Sequence, residues 1–338
     1  MKKTILFRHI FLTIFMLFFS FFLVSCGKKN SDVTKRVVIQ DTKEDGDFKL
    51  IKIDNKWYIG GLVEAEKEEI VIPSTIDVYG IWKKAFCDKK EYIGYNNPPE
   101  VKDYYNDTLK KVTIEKQFKS IGEEAFYGCR KLEKVVLPES ITELCDGAFL
   151  NCESLEEINI PNKVARIDGF CFFGCINLKE IDLSNHDKLT YIGKGAFADC
   201  YSLTKALLPE NITVIMEDTF LGCRSIKKMI IPKKVTIIEE RAFNCCECDF
   251  IILGKIRKIG SVSFAGVGFG TRIYFKGSKD DWSKIVIYHI DPLTDKVVYK
   301  KVNMEDFKNY TCFYSEKRPT SDSYNYWHYV DGEPYIWS

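Results

Sequence analysis

The sequence predicts a repeat solenoid: a β-rich stack of short coils with parallel strands, closed by a cap at each end. Three observations predict it. Phe recurs at 126, 149, 172, 197, 220, 243 and 264, in steps of 23, 23, 25, 23, 23 and 21 residues. Five residues before each stands an aliphatic: Ile121, Leu144, Ile167, Ile192, Ile215, Ile238 and Ile259. Three residues after the first six stands a cysteine: Cys129, Cys152, Cys175, Cys200, Cys223 and Cys246. One such copy is too small to bury its own apolar face, whereas stacked copies bury it by piling equivalent side chains into ladders.

After each cysteine comes an aliphatic run of the form L-x-x-V-x-L, as Leu132, Val135, Leu137, or Leu155, Ile158, Ile160, or Leu178, Ile181, Leu183. The run alternates at its end and suits one short parallel strand per copy. Pro138, Pro161, Pro209 and Pro232 close it, since proline offers no N–H for further pairing. With rungs about 4.8 Å apart, some eight coils would span roughly 40 Å. The period and the L-x-x-L-x-L core lie in the leucine-rich-repeat range. The form found here, A-F-x-x-C before the strand and Pro after it, resembles the BspA-like leucine-rich-repeat family of bacterial surface proteins. The resemblance runs from about residue 68 to the C-terminus and is strongest from Ile121 to Pro232. It implies adhesion, or binding of host or bacterial macromolecules.

The elements follow in order. Residues 47–67, with "FKLIKIDNKWYIGGLV", read as two short strands around Asp54-Asn55-Lys56 and form an N-terminal cap. The solenoid covers 68–275. An early coil is marked by Ile70, Ile72, Pro73, Ile81 and Phe86, and a polar, turn-rich insertion at about 88–108 interrupts it before Leu109, Val112 and Ile114 resume the pattern. Past Phe264 the cysteine gives way to Val267. Residues 276–338 form a C-terminal cap whose aromatic tail is folded, with Asp331-Gly332 suited to a hairpin turn.

The start of the chain sets the expected compartment. Lys2, Lys3 and Arg8 precede an apolar run from Ile10 to Val24, the order of a secretory signal over 1–25. Leu23-Val24-Ser25-Cys26 resembles a bacterial lipobox, which implies lipidation of Cys26 and a membrane anchor without a membrane span. Residues 26–46 are mostly polar and read as a flexible tether. The body is then extracytoplasmic, in the cell envelope.

Several chemistries are disfavoured. The chain has 49 basic and 48 acidic side chains, and without the leader 46 against 48, alternating in sign, so no basic face for nucleic acid exists. The in-register cysteines stand one per rung, a line that cannot surround a metal tetrahedrally and that suits buried packing. On this reading a hydroxyl placed at Cys175 has no assured partner. Cys245-x-x-Cys248 lacks a second pair or a nearby histidine, so the spacing is a weak metal or redox signal, and whether the two form a disulfide is left open by the sequence. His186, His289 and His328 stand in a loop, the C-terminal cap and the tail, each as a surface or cap residue. Carboxylate pairs such as Glu156-Glu157 and Asp280-Asp281 read as solvated surface. No metal, cofactor or catalytic residue is expected, and the protein is not an enzyme.

The function expected is binding of a protein or other macromolecule at the cell surface. If Leu132, Val135 and Leu137 and their equivalents face inward, the intervening residues face outward: Lys134 and Val136, Glu157 and Asn159, Glu180 and Asp182, Lys205 and Leu207, Lys228 and Ile230. These vary from copy to copy and form the candidate surface. The alternatives are a structural or coaggregating envelope protein, and a glycan- or solute-capturing lipoprotein using the aromatic C-terminal cap. Mass spectrometry of the mature N-terminus is expected to give an acylated Cys26; an intact Met1 or a cut elsewhere contradicts the lipobox reading.

Overall fold

A computed structural model describes residues 39–86, 106–266, 271–290, 297–301, 311–314, 326–330 and 333–336. The leader, Cys26, the tether up to residue 38 and the segment 87–105 lie outside the described residues. From Ile39 onward the chain is one compact unit, a parallel-strand solenoid of about eight turns with almost no helix.

The N-terminal cap is a three-stranded antiparallel meander of β1 (Asp41–Asp45), β2 (Phe48–Ile53) and β3 (Lys56–Leu62). Asp54 and Asn55 both take positive φ, 49° and 60°. That pair of left-handed residues makes the tight turn whose twist matches two antiparallel strands. The polar run 41–45, assigned above to the tether, is instead a strand on β2 with every residue exposed. It hydrogen-bonds the outer edge of β2 without burying a side chain, so no hydrophobic periodicity marks it. β3 pairs in parallel with Gly80–Ile81 and so hands the meander on to the stack.

Each coil crosses two faces of parallel strands rather than the single one expected, and along each face the strands fall into successive hydrogen-bonded sheets. The first holds the L-x-x-V-x-L strands, among them Glu69–Ile72, Lys111–Ile114, Lys134–Val136, Glu180–Asp182, Lys205–Leu207 and Lys228–Ile231. The second is built from pairs such as Ser120–Ile121, Glu143–Leu144, Arg166–Ile167 and Tyr191–Ile192, the aliphatics five residues before each Phe. A two-residue strand is too short to show alternation, which hid this sheet in the sequence. Between Leu137 and residue 159 a side chain replaces the ladder. The backbone N–H of Leu137 donates to Asn159 Oδ1 at 3.0 Å, and Asn159 Nδ2 donates to the Leu137 carbonyl at 3.1 Å.

Between the sheets lies the phenylalanine column. Phe86, Phe126, Phe149, Phe172, Phe197 and Phe220 are nearly parallel rings with successive centroids 4.9, 5.3, 5.3, 5.3 and 5.5 Å apart. Beside it runs the cysteine column, fully buried and free of disulfides among the described residues. Each thiol reaches back one rung to a phenylalanine carbonyl: Cys152 to Phe126 at 3.2 Å, Cys175 to Phe149 at 3.3 Å, Cys200 to Phe172 at 3.2 Å and Cys223 to Phe197 at 3.1 Å. The column therefore needs a small apolar group that also donates, which Cys satisfies and Ala does not. Asn106 pairs in register with Cys129 and opens the column. Its buried Oδ1 accepts from the N–H groups of Thr108 and Leu109 at 3.0 and 2.8 Å. Residues 106–108, placed above in the insertion, thus already belong to the coil.

A third column lies two residues after each Phe, where the chain turns with positive φ. It reads Gly128, Asn151, Gly174, Asp199, Gly222, Cys245 and Gly266. Glycine alternates with a side-chain-bearing residue because each side chain lies over the next rung's glycine. A Cβ on Gly174 would stand 2.4 Å from Asn151 Oδ1, and one on Gly222 2.5 Å from Asp199 Oδ1. Asn and Asp are the residues that tolerate left-handed backbone best after glycine.

The C-terminal cap extends both sheets. Helix α1 (Lys279–Ser283) begins with a capping box between Ser278 and Asp281 and buries Trp282 against Phe275. Ile273–Phe275, Thr311–Tyr314 and Tyr326–Val330 run parallel, and Glu333–Ile336 returns antiparallel. The tail is folded, as read, although Asp331 and Gly332 lie outside the described residues. Trp327 is fully buried, its indole N–H donating to the Phe275 carbonyl at 3.2 Å. No helix among the described residues is long and apolar enough to cross a membrane.

Two expectations follow for stability, both measured by thermal or denaturant unfolding. Phe172→Ala is expected to cost about 3–5 kcal/mol, whereas Cys175→Ser and Cys175→Ala should differ by no more than about 1 kcal/mol, because the hydroxyl finds the Phe149 carbonyl. That overturns the orphaned hydroxyl expected from sequence. Gly174→Ala should cost on the order of 2 kcal/mol or more. Adding Asn151→Gly should recover the contact part of that loss and leave the backbone strain; a double variant no better than Gly174→Ala alone excludes the contact.

Candidate binding surface

The first sheet faces the core with Ile70, Val112, Val135, Ile181, Ala206 and Met229, all buried except for a few per cent. Strand geometry then turns their neighbours outward. Lys134, Glu157, Asn159, Glu180, Asp182, Lys205, Lys228 and Ile230 are exposed, and Val136 and Leu207 are half-buried. All ten residues singled out in the sequence therefore lie on one strip. The strip begins earlier than expected, with Glu69 and Val71, then Lys111 and Thr113, registered against the later rungs. Val71 is 48 % exposed. Alternation in "EIVI" around Ile70 and Ile72 was the signal for these residues. At the other end Ile251 and Tyr274 continue the column, but both are buried together with Trp327, so the strip ends near Ile230.

The strip's charges are matched along the stack. Lys111 pairs with Glu69 at 3.4 Å, Lys134 with Glu157 at 3.3 Å and Lys205 with Glu180 at 3.8 Å. These exposed pairs contribute at most about 1 kcal/mol each and are easily exchanged for other partners. Asp182 accepts from the backbone N–H and hydroxyl of Ser184, which hold its carboxyl below the usual range. Asn159 is committed to Leu137, so it presents the edge of an amide already in use.

The other candidates fall into structural roles. His186, expected at the surface, is buried, and its Nε2 lies 3.0 Å from the Ile160 carbonyl. The side chain of His289 lies outside the described residues. His328 is half-buried in the C-terminal cap. Cys248 is buried in the core and Cys245 half-buried, its thiol 2.9 Å from Asn244 Oδ1, and burial pushes both thiols up. Both are free thiols, and neither is exposed. Burial likewise raises the column thiols of Cys175, Cys200 and Cys223 well above the ordinary range, away from the reactive thiolate. Asp281 caps α1 and Asp280 pairs with Lys284 at 2.8 Å. Glu217, Asp218 and Glu239 stand near one another. Lys194 lies 2.7 Å from Glu217, Arg241 lies 2.7 Å from Asp218, and Glu239 accepts from the backbone of Glu217, so each carboxylate of the group already has a partner. Among the described residues no group of three or more His, Cys, Asp or Glu could hold a metal ion.

One carboxyl is set apart by burial. Asp199 stands in the left-handed column over Gly222. Desolvation raises it to about 6, with Tyr201 and Arg224 pulling the other way.

The BspA type leucine rich repeat region matches the chain in six copies, over residues 100–217 and 190–317. A leucine-rich repeat protein from Bacteroides ovatus is similar in fold, at 22% identity over 77% of this chain and 67% of that one, with a TM-score of 0.53. A leucine rich cell surface protein from Faecalibacterium prausnitzii aligns at 20% identity over 72% of this chain and 97% of its own, TM-score 0.37. A T. pallidum leucine rich repeat protein aligns at 20% identity over 68% and 92%, TM-score 0.45. No curated protein matches the sequence.

Because Asp199 is raised in the fold, its stabilising contribution is complete below the unfolded carboxyl range and is lost as pH rises from about 4 to about 6. The wild type should lose on the order of 1–2 kcal/mol across that window through this group. Asp199→Asn, which copies Asn151 two column positions earlier, should remove the loss in melts taken at several pH values; an unchanged pH profile contradicts the assignment.

Proposed function

The chain belongs to the BspA-type leucine-rich-repeat family, and from that premise we propose that it is a bacterial envelope lipoprotein binding macromolecular partners through the outward strip of its first sheet. Leucine-rich-repeat domains generally mediate protein–protein binding, and a repeat-based interaction protein is the coarse reading the family carries. The observation behind the finer reading is the contrast between two sets of columns. The inward ones repeat Phe, Cys and aliphatics, whereas the outward ones vary in charge and size along the stack. A rigid face with a non-repeating surface suits recognition of an extended partner rather than capture in a pocket. The repeat fold is typically non-catalytic, and the candidate nucleophiles and carboxylates have packing or pairing roles. Lipidation at Cys26 would anchor the body outside the cytoplasm, a placement that rests on the order of basic residues, apolar run and lipobox.

Adhesion to host or bacterial macromolecules is the activity proposed. The test is binding of the full chain to matrix proteins, intact bacterial cells and glycans in parallel. For whichever partner binds, Glu157→Lys with Glu180→Lys should reduce affinity about tenfold or more, as reversing charges at a recognition face does. Asp187→Lys, in the loop beyond the strip, should leave it unchanged. Equal binding by strip and loop variants places the surface elsewhere.

A further inference from the structure

Below Lys228, which overhangs it, the first outward column holds a six-rung block that reads Glu69, Lys111, Lys134, Glu157, Glu180 and Lys205. Its signs run minus, plus, plus, minus, minus, plus. Read backwards, that order is its own complement. Reversal about the gap between Lys134 and Glu157 sets Lys134 against Glu157, Lys111 against Glu180 and Glu69 against Lys205, each pair occurring twice. We infer that the strip docks against a second copy of this chain, face to face, about a two-fold axis that runs parallel to the strands and passes between those two rungs. The inference rests on the reading of the strip as a binding surface.

The second outward column agrees in the same register. Val71, 48 % exposed, meets Leu207; Thr113 brings a hydroxyl to the carboxylate of Asp182; Val136 meets Asn159. A second axis, between Glu180 and Lys205, would also oppose charges near its centre. It would however require Val136 to contact Ile251, which is 4 % exposed and packed with Trp327, and would set Lys111 against Arg272. The two columns together select one register.

The contact is small. Six rungs at about 4.8 Å cover roughly 30 Å, and two columns of side chains bury on the order of 800–1,000 Å² in all, near the lower bound for specific association. Affinity is then modest and electrostatic in origin, and falls with salt. A two-fold of this kind reverses the rung order, so the N-terminal ends of the two copies point in opposite directions. Copies held by their N-termini on two facing surfaces meet in this way; copies side by side on one surface do not.

The test is sedimentation equilibrium of the full chain in density-matched non-ionic detergent. The wild type should self-associate, roughly tenfold more weakly at about 0.5 M than at about 0.05 M salt. Lys111→Glu with Lys134→Glu, and separately Glu157→Lys with Glu180→Lys, should each weaken association at least tenfold. An equimolar mixture of the two variants should restore it, because every opposed pair is again of opposite sign. Val71→Asp, a change at an exposed site that leaves the core alone, should weaken association with the charges intact. A monomeric wild type at low salt, a variant that associates as tightly as the wild type, or a mixture that stays monomeric overturns the inference. A monomeric wild type whose binding to a foreign partner is still lost in the Glu157→Lys, Glu180→Lys variant overturns self-recognition alone; variants that alter neither overturn the binding strip as well.

Discussion

The spacing of parallel strands governs everything else in this molecule. Rungs about 4.8 Å apart place each side chain against its own equivalent one coil away, so a column accepts only residues that can neighbour a copy of themselves at that distance. Phenylalanine rings do so by lying nearly parallel with centroids 5.3 Å apart in the middle of the stack. Cysteine does so by sending its thiol diagonally to a carbonyl of the previous rung. Charged residues cannot repeat inside, and outside they are tolerated because each has a neighbour of opposite sign, as in Lys111 with Glu69 or Lys205 with Glu180. One distance thus enforces uniformity within and sign changes without.

Cores of this kind are usually described as greasy, yet the cysteine column is also a hydrogen-bonding device. The same position is filled by Asn106 at the start of the column, where the amide oxygen takes two backbone N–H groups. Asn and Cys look unrelated as side chains and share the capacity to satisfy backbone groups at a turn that the two sheets leave without ladder partners. The caps solve the complementary problem at the ends. β1 covers the edge of β2 with charged side chains, and Trp327 is buried with Ile251 and Tyr274 at the far end.

Most of the architecture was legible because it is written in period. The Phe, Cys and L-x-x-V-x-L registers located the core and the first sheet, and from them the outward parity of Lys134 through Ile230 followed. What escaped notice had no period to show. The second sheet contributes two residues per coil; β1 buries no side chain; and His186 looked like a loop residue because its neighbours Asn185 and Asp187 are polar, although it is itself buried. The candidate surface was legible in position but not in extent. Its beginning at Glu69 and Val71 is separated from Lys111 by the long segment 87–105, and its end is decided by Trp327, far away in sequence. The pairing of its charges required knowing which rungs are adjacent.

The alternation of glycine with Asn, Asp or Cys in the left-handed column bears on how such a chain can change length. Each coil is not equivalent to the next but to the one after it, since Asn151 needs Gly174 above it and Asp199 needs Gly222. Duplicating or deleting a single coil would bring two side chains, or two glycines, into register and would break the column. Duplicating a pair would pass unnoticed. The unit of inheritance in this stack is therefore the double coil, and gain or loss of repeats by recombination should favour even numbers.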